Sequence, residues 1–240
     1  LLFPLFVSAQ FSDPSPCPEI RKKRIATLLP SAMKAAKVDA WLVVCRENNN
    51  DPLADHVGCE NAGQTAVFLF FHHQQRFHSM AFSPAGEATA LKDNNLLDEV
   101  VPVERSASAI QTAADFIRGK NFSNIAINMS SKNAQADGIS FTQYQQLTKA
   151  LGETLTNKLT TSDEIIYQWL SIKLPEEIAI MGKAAAVTAQ WQIEAYQQII
   201  PGVTTDADVA QFLKAKMRDA GVGDAWAAAQ NPNVNSGTDR

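Results

Sequence analysis

Cysteine is scarce in this chain, three residues in 240. Cys17, Cys45 and Cys59 form neither a C-x-x-C pair nor a metal-ligand spacing, which excludes a zinc-stapled fold. An exported chain would permit a disulfide, and Cys45 with Cys59 would close the shorter loop, but one cysteine would be left over. The expectation is that all three remain thiols. Pro16 and Ser15 precede Cys17 where a lipid-attachment signal wants small and apolar residues, which argues against lipidation. Positive charge is equally thin: 21 Lys and Arg stand against 25 Asp and Glu, for a net charge of -4. That balance leaves no electrostatic footprint for nucleic acid. The one basic run, Arg21-Lys22-Lys23-Arg24, sits inside helical periodicity and reads as a solvated helix face. No apolar run reaches the roughly 18 to 20 residues of a membrane-spanning helix. The chain also lacks a G-x-S-x-G elbow, a phosphate loop and a dinucleotide glycine pattern, so none of those chemistries has a foothold.

What is present is apolar mass. Hydrophobic residues make up 45% and charged residues 19%, enough for a sizeable core in one large domain, or in one domain and part of a second. The opening Leu1-Leu2-Phe3-Pro4-Leu5-Phe6-Val7 is followed by Ser8-Ala9-Gln10. Val7 and Ala9 stand at signal-peptidase spacing, so residues 1–9 resemble the tail of a secretory signal. The expectation is an exported protein, periplasmic or secreted, whose mature chain starts near Gln10. The competing reading is a buried N-terminal strand.

Pro18 to Lys37 has a helical stripe (Ile20, Ile25, Leu28, Leu29, Met33, Ala36) with Pro30 inside it, where a kink or break is expected. Ala40 to Cys45 reads as a buried strand. Arg46 to Gly63 is a long polar loop with room for one helical turn. Thr65 to Phe71 and Arg76 to Phe82 flank His72-His73-Gln74-Gln75 and predict a hairpin. Adjacent strand residues point to opposite faces, so His72 and His73 are placed at an exposed hairpin tip rather than on a shared metal. Glu87 to Leu91 and Glu99 to Val103 read as third and fourth strands. Helices are expected over Ser106 to Arg118 and Ser140 to Leu151, and strands over Asn124 to Asn128 and Thr154 to Thr160. Ser162 is expected to cap a helix bearing Ile165, Ile166, Trp169 and Leu170. The order predicts an α/β fold, a mixed β-sheet flanked by helices.

The last stretch is the most motif-like. Pro175 suits a first helical position, and Glu176 and Glu177 favour the positive end of the helix dipole. Met181, Ala184, Thr188, Trp191, Ala195 and Ile199 predict one long helix with a buried stripe. Pro201-Gly202 stops it, Thr205 with Asp208 has capping-box spacing for a second helix, and Gly221 ends that one.

The wording and order of these signals resemble a known family. Ile172-Lys173-x-Pro175-Glu176-Glu177-Ile178, Ile200-Pro201-Gly202-x-Thr204-Thr205-Asp206 and Asn233-Val234-Asn235-Ser236-Gly237 are similar to the Xaa-Pro aminopeptidase, prolidase and creatinase metallopeptidases. Leu174 and Asp206 depart mildly from the usual residues there. The resemblance implies a creatinase-like N-terminal α/β domain over 10–172. It implies, over 173–240, the incomplete beginning of an α+β catalytic domain of the pita-bread type. It further implies two divalent metal ions, manganese above all, held by two Asp, one His and two Glu. All five are expected downstream of the position matched by Gly237, so no residue here is assigned as a metal ligand or catalytic group, and the 240-residue chain is expected to be inactive alone. For the parent, the resemblance implies a homodimer acting on peptides with proline second. It places Asp51, His56, Glu60 and Asn61 in a loop that lines the substrate cleft or an interface, and Asn235 and Gly237 at the cleft edge. The same family also holds metal-free creatinase-like hydrolases and non-catalytic binding or oligomerisation relatives, which share this N-terminal architecture.

Overall fold

The computed structural model describes residues 17–47, 50–59, 64–224 and 226–235. The expected signal remnant lies outside them. The chain divides into two units between Leu174 and Pro175.

The first unit opens with α1 (Cys17–Lys23), a π-helical turn (Arg24–Leu28) and α2 (Leu29–Ala35). Pro30 falls in the first turn of α2, directly after the π-helical turn, and its missing N–H leaves a gap in the hydrogen-bond ladder of this continuous helix. The irregularity expected at Pro30 therefore appears as the widened turn just before it. Six strands follow, β1 (Ala40–Cys45), β2 (Ala66–His73), β3 (Arg76–Pro84), β4 (Glu99–Val103), β5 (Ile125–Ile127) and β6 (Leu159–Thr161), in one sheet of order β4-β3-β2-β1-β5-β6. The pairs β1·β2 and β2·β3 are antiparallel, and β3·β4, β1·β5 and β5·β6 are parallel. The hairpin turns at Gln74 and Gln75, both at positive φ (48° and 63°), as a two-residue connection between twisted strands requires. His72 turns its ring back to the Pro30 carbonyl (Nε2 to O 3.2 Å), while His78 stacks on Phe71. These two histidines are thus engaged separately.

Both faces of the sheet are covered, which explains the uninterrupted apolar run of β1. Trp41, Val43 and Cys45 point to one face with Phe68 and Phe70, against Ile25, Leu29, Met33, Ile165, Ile166 and Trp169. Leu42 and Val44 point to the other with Leu69 and Phe71, against α5 (Ala109–Arg118) and α6 (Phe141–Leu151) through Ile110, Ala113, Ile117 and Leu147. A mixed sheet flanked by helices is the α/β class expected from the element order.

Three local expectations change. Glu87 to Leu91 lies in α4 (Ala85–Asp93), not in a strand. Pro84 closes β3 and leads into a segment of Ala, Glu, Leu and Lys, good helix formers with one β-branched residue. Thr154 to Thr160 becomes the turn α7 (Glu153–Thr156) followed by the short β6, because Gly152 at φ 77° resets the chain after α6. Ser162 precedes α8 (Asp163–Ser171) but makes no side-chain cap bond; its hydroxyl points into the interior. A fourth change is covalent. Cys45 and Cys59 form a disulfide, with Cα atoms 6.3 Å apart, and both are buried. Cys17 is exposed and takes no part in it.

In the second unit, α9 (Pro175–Gln197) runs for about six turns and α10 (Asp206–Asp219) follows. Thr205 caps α10 in a capping box with Asp208, as its spacing predicts. The stripe on α9 is not buried as expected. Of that stripe Ala195 is buried and Trp191 half-buried, while Ala184, Thr188 and Ile199 are exposed and Met181 is 54% exposed; Ile178, Val187 and Ile193, off the stripe, are exposed as well.

Candidate functional site

The loop after β1 is held at three points. The disulfide joins its two ends, Cys45 and Cys59. Inside it, Asp51 begins the short helix α3 (Ala54–Val57). Its Oδ1 accepts from Leu53 N (2.9 Å), its main-chain oxygen accepts from Ala54 N (2.9 Å), and Pro52 is preset for such a turn. Gly58 stops α3 at φ 89°, where a Cβ would lie 2.4 Å from Leu96 Cδ2. Both the backbone angle and the space demand glycine.

The third point is a buried polar network. Asp51 is 3% exposed and Oδ2 accepts from Asn128 Nδ2 (2.7 Å). Asn128, just past β5, uses its Oδ1 to accept from Trp41 Nε1 (2.8 Å) and from Ser162 Oγ (2.6 Å). Its main-chain oxygen accepts from Gly138 N and Ile139 N, both at 3.0 Å. One residue therefore ties together β1, the 46–58 loop, the end of β5, the 128–139 segment and the entrance to α8. Gly138 packs so closely on Asp51 that a Cβ there would sit 1.9 Å from Oδ2. Burial pushes the Asp51 carboxyl above its ordinary pKa, opposed by the hydrogen bonds from Leu53 and Asn128. With both oxygens directed inward, this carboxylate fixes the loop rather than facing a ligand.

His56 is half-buried on α3 and meets Trp169 edge to face, ring centroids 5.8 Å apart. Trp169 in turn contacts Trp41 (5.8 Å) and lies under the Arg24 guanidinium. Arg24 donates to the Ile172 carbonyl (3.0 Å) and to the Trp169 carbonyl, so the buried cation holds the C-terminal end of α8. Asp51 and His56 thus share a loop but point into different surroundings. Glu60, Asn61 and Gly237 lie outside the described residues. Sequence reasoning passed over Asn128, Trp41, Gly138 and the inward turn of Ser162; no spacing signal joins residues so far apart in the chain.

In the second unit, a hollow of about 620 Å³ is lined by Asp206, Ala207 and Ala210 at the start of α10 and by Trp226, Pro232, Asn233 and Val234. Asn235 follows directly and is exposed. The carboxylates nearby have local duties. Asp206 Oδ1 accepts from Ala207 N (2.7 Å), and Asp208 Oδ2 accepts from Thr205 N (2.9 Å) and Oγ1 (2.7 Å), which lowers its pKa. Lys214 and Asn231 donate to Asp224 and lower its pKa likewise. Among the described residues, no group of three or more His, Cys, Asp or Glu lies together as a metal would need. The described residues do not fit two divalent ions, and no catalytic step is routed through them.

This architecture is the α/β fold found in peptidases that act beside proline. Among solved structures, the chain is similar to an Xaa-Pro dipeptidase from Bacillus anthracis at 16% identity and TM-score 0.52, over 85% of this chain and 49% of that one. It is similar to dipeptidase PepE from Mycobacterium ulcerans at 15% identity and TM-score 0.54, over 83% and 50%. It is also similar to a prolidase from Thermococcus sibiricus at 15% identity and TM-score 0.52, over 85% and 51%. The chain spans about half the length of these proteins. No family model matches it, and no curated protein matches it in sequence.

Proposed function

We propose that this chain is the N-terminal part of a metal-dependent exopeptidase that removes an N-terminal residue preceding proline. The observation behind this reading is the joint occurrence of the fold of Xaa-Pro peptidases with the Pro175-Glu176-Glu177, Pro201-Gly202 and Asn235-Ser236-Gly237 signals in family order. The uncovered apolar residues of α9 fit the same reading. Ile178, Met181, Val187 and Ile193 are exposed, and the similar structures are about twice as long. Further polypeptide of a catalytic domain would cover these residues and supply the two-metal site. When bound, such ions generate hydroxide near neutral pH and polarise the scissile carbonyl.

In this reading the N-terminal unit shapes access to the cleft in a homodimer, and the 46–63 loop with His56 is the lining segment. The test uses the protein isolated from its source, supplied with manganese, on Xaa-Pro and Xaa-Ala peptides of matched length. Release of the first residue from the Xaa-Pro peptide alone is expected, and the 240-residue chain should cleave neither. An intact Xaa-Pro peptide would end the proposal in favour of a metal-free or non-catalytic relative. A His56→Ala variant of the same protein should alter peptide kinetics; unchanged kinetics would remove the loop from the cleft.

A further inference from the structure

Away from the Asp51 network, α4 covers its part of the sheet incompletely. Gly86, Ala90 and Asn94 recur four apart and so line up on one face of that helix and its end. Two of these side chains are too short to reach β2 and β3. The result is a pocket of about 180 Å³. Its floor is buried, formed by Cys59 of the disulfide, Ala66 and Phe68. Its rim, at Gly86, Ala90 and Asn94, is exposed.

The pocket also contains a polar anomaly. Ser83 of β3 is 0% exposed and lines it, and among the described residues its hydroxyl has no hydrogen-bond partner. Its neighbours on β3, Phe82 and Pro84, cannot offer side-chain partners. A buried hydroxyl without a partner costs about 1 to 3 kcal/mol, so its position at the floor of an unfilled pocket points to an occupant that completes it. Charges of both signs stand nearby. Glu87 lines the pocket, and the Arg21 guanidinium reaches within 3.9 Å of where a Gly58 Cβ would lie. That pairing favours neither an anion nor a cation. The volume is below the roughly 300 Å³ of sites for drug-sized ligands. It is close to the roughly 150 Å³ of cavities that take up benzene.

We propose that this pocket binds a small uncharged molecule with an apolar body and a single hydrogen-bonding group, the body on Phe68, Ala66 and Leu91 and the polar group on the Ser83 hydroxyl. The site is separate from the peptidase reading and independent of it. Phenol and toluene are suitable probes, since they share a body and differ in the hydroxyl. Ligand-observed NMR on the 240-residue chain should detect phenol binding, with toluene about five- to tenfold weaker. Ser83→Ala should erase that difference without lowering the melting temperature, because it removes an unpartnered hydroxyl. Ala90→Phe, at an exposed rim position, should fill the pocket and abolish binding of both probes while the chain stays folded. Absence of phenol binding to the unaltered chain would overturn the proposal. So would binding that survives Ala90→Phe, or a phenol preference that survives Ser83→Ala.

Discussion

Replacing Asn128 by alanine tests the central packing argument most directly. The amide serves three groups at once: it accepts from Trp41 Nε1 and Ser162 Oγ and donates to Asp51 Oδ2. All three partners belong to buried residues, and each orphaned group costs about 1 to 3 kcal/mol. A water entering the vacated space would recover part of this. The expected loss is therefore about 3 to 5 kcal/mol, a large share of the roughly 5 to 15 kcal/mol of an ordinary domain. Urea unfolding followed by Trp fluorescence measures it, since Trp41 and Trp169 are both buried in this unit. The loss should also depend on pH. Burial raises the Asp51 pKa above its ordinary 3.8, so the native state keeps a proton that the unfolded chain has released. Stability then falls as pH rises between 3.8 and the raised native value. Removing the Asn128 hydrogen bond raises that native value further. The deficit of Asn128→Ala relative to the unaltered protein should thus be larger at about pH 8 than near the ordinary value of 3.8. A loss below about 1 kcal/mol, or one equal at both pH values, would refute the reasoning.

Other consequences follow from the same contacts. Gly138→Ala should destabilise the first unit by about 1 to 3 kcal/mol or more, because its Cβ would meet the Asp51 carboxylate; thermal unfolding reads this. Breaking the disulfide by the paired Cys45→Ala and Cys59→Ala changes should cost about 3 kcal/mol, the loop-closure value for a separation of 14 residues. The change should appear as a lower urea midpoint, insensitive to added reductant. Thr205→Ala should remove about 1 kcal/mol from α10, seen as faster amide exchange at Asp208, whose N–H donates to the Thr205 hydroxyl. Because Asp208 has a lowered pKa, the protection of this helix start in the unaltered protein should hold above the ordinary carboxylate pKa. It should fade as pH falls through the lower native value.

Much of the chain was legible where structure is local. The hairpin between Phe71 and Arg76, the Thr205 cap and the end of the long helix ahead of Pro201-Gly202 depend on residues within a few positions of each other. The continuous apolar run of β1 announced a strand covered on both faces, and the structure covers it so. The error at Glu87 to Leu91 shows the limit of such reading. Five residues with an apolar end fit a strand or a helix turn, and here Pro84 and the Ala-rich composition decided for the helix. The α9 stripe shows another limit, since periodicity reports which face is apolar and not whether a surface lies against it.

The candidate site was least legible where its parts lie far apart. Asp51 was singled out as a polar loop residue, yet its environment is made by Asn128, 77 residues away. Asn128 in turn meets Trp41 across 87 residues. The Cys45–Cys59 pairing required β1 and the end of the loop to come within bonding reach, which composition alone did not favour.

By itself, then, the sequence determined the order of helices and strands, the caps and turns that bound them, and the motif run that resembles Xaa-Pro peptidases. These depend on short-range sterics and hydrogen bonding, which act between neighbours in the chain. Tertiary structure alone decided that a carboxylate in a polar loop turns inward, that two sparse cysteines join, and that a serine hydroxyl lies unpartnered beneath α4. Each of those outcomes is a matter of desolvation and distance between residues remote in sequence, and neither quantity exists until the sheet has closed around them.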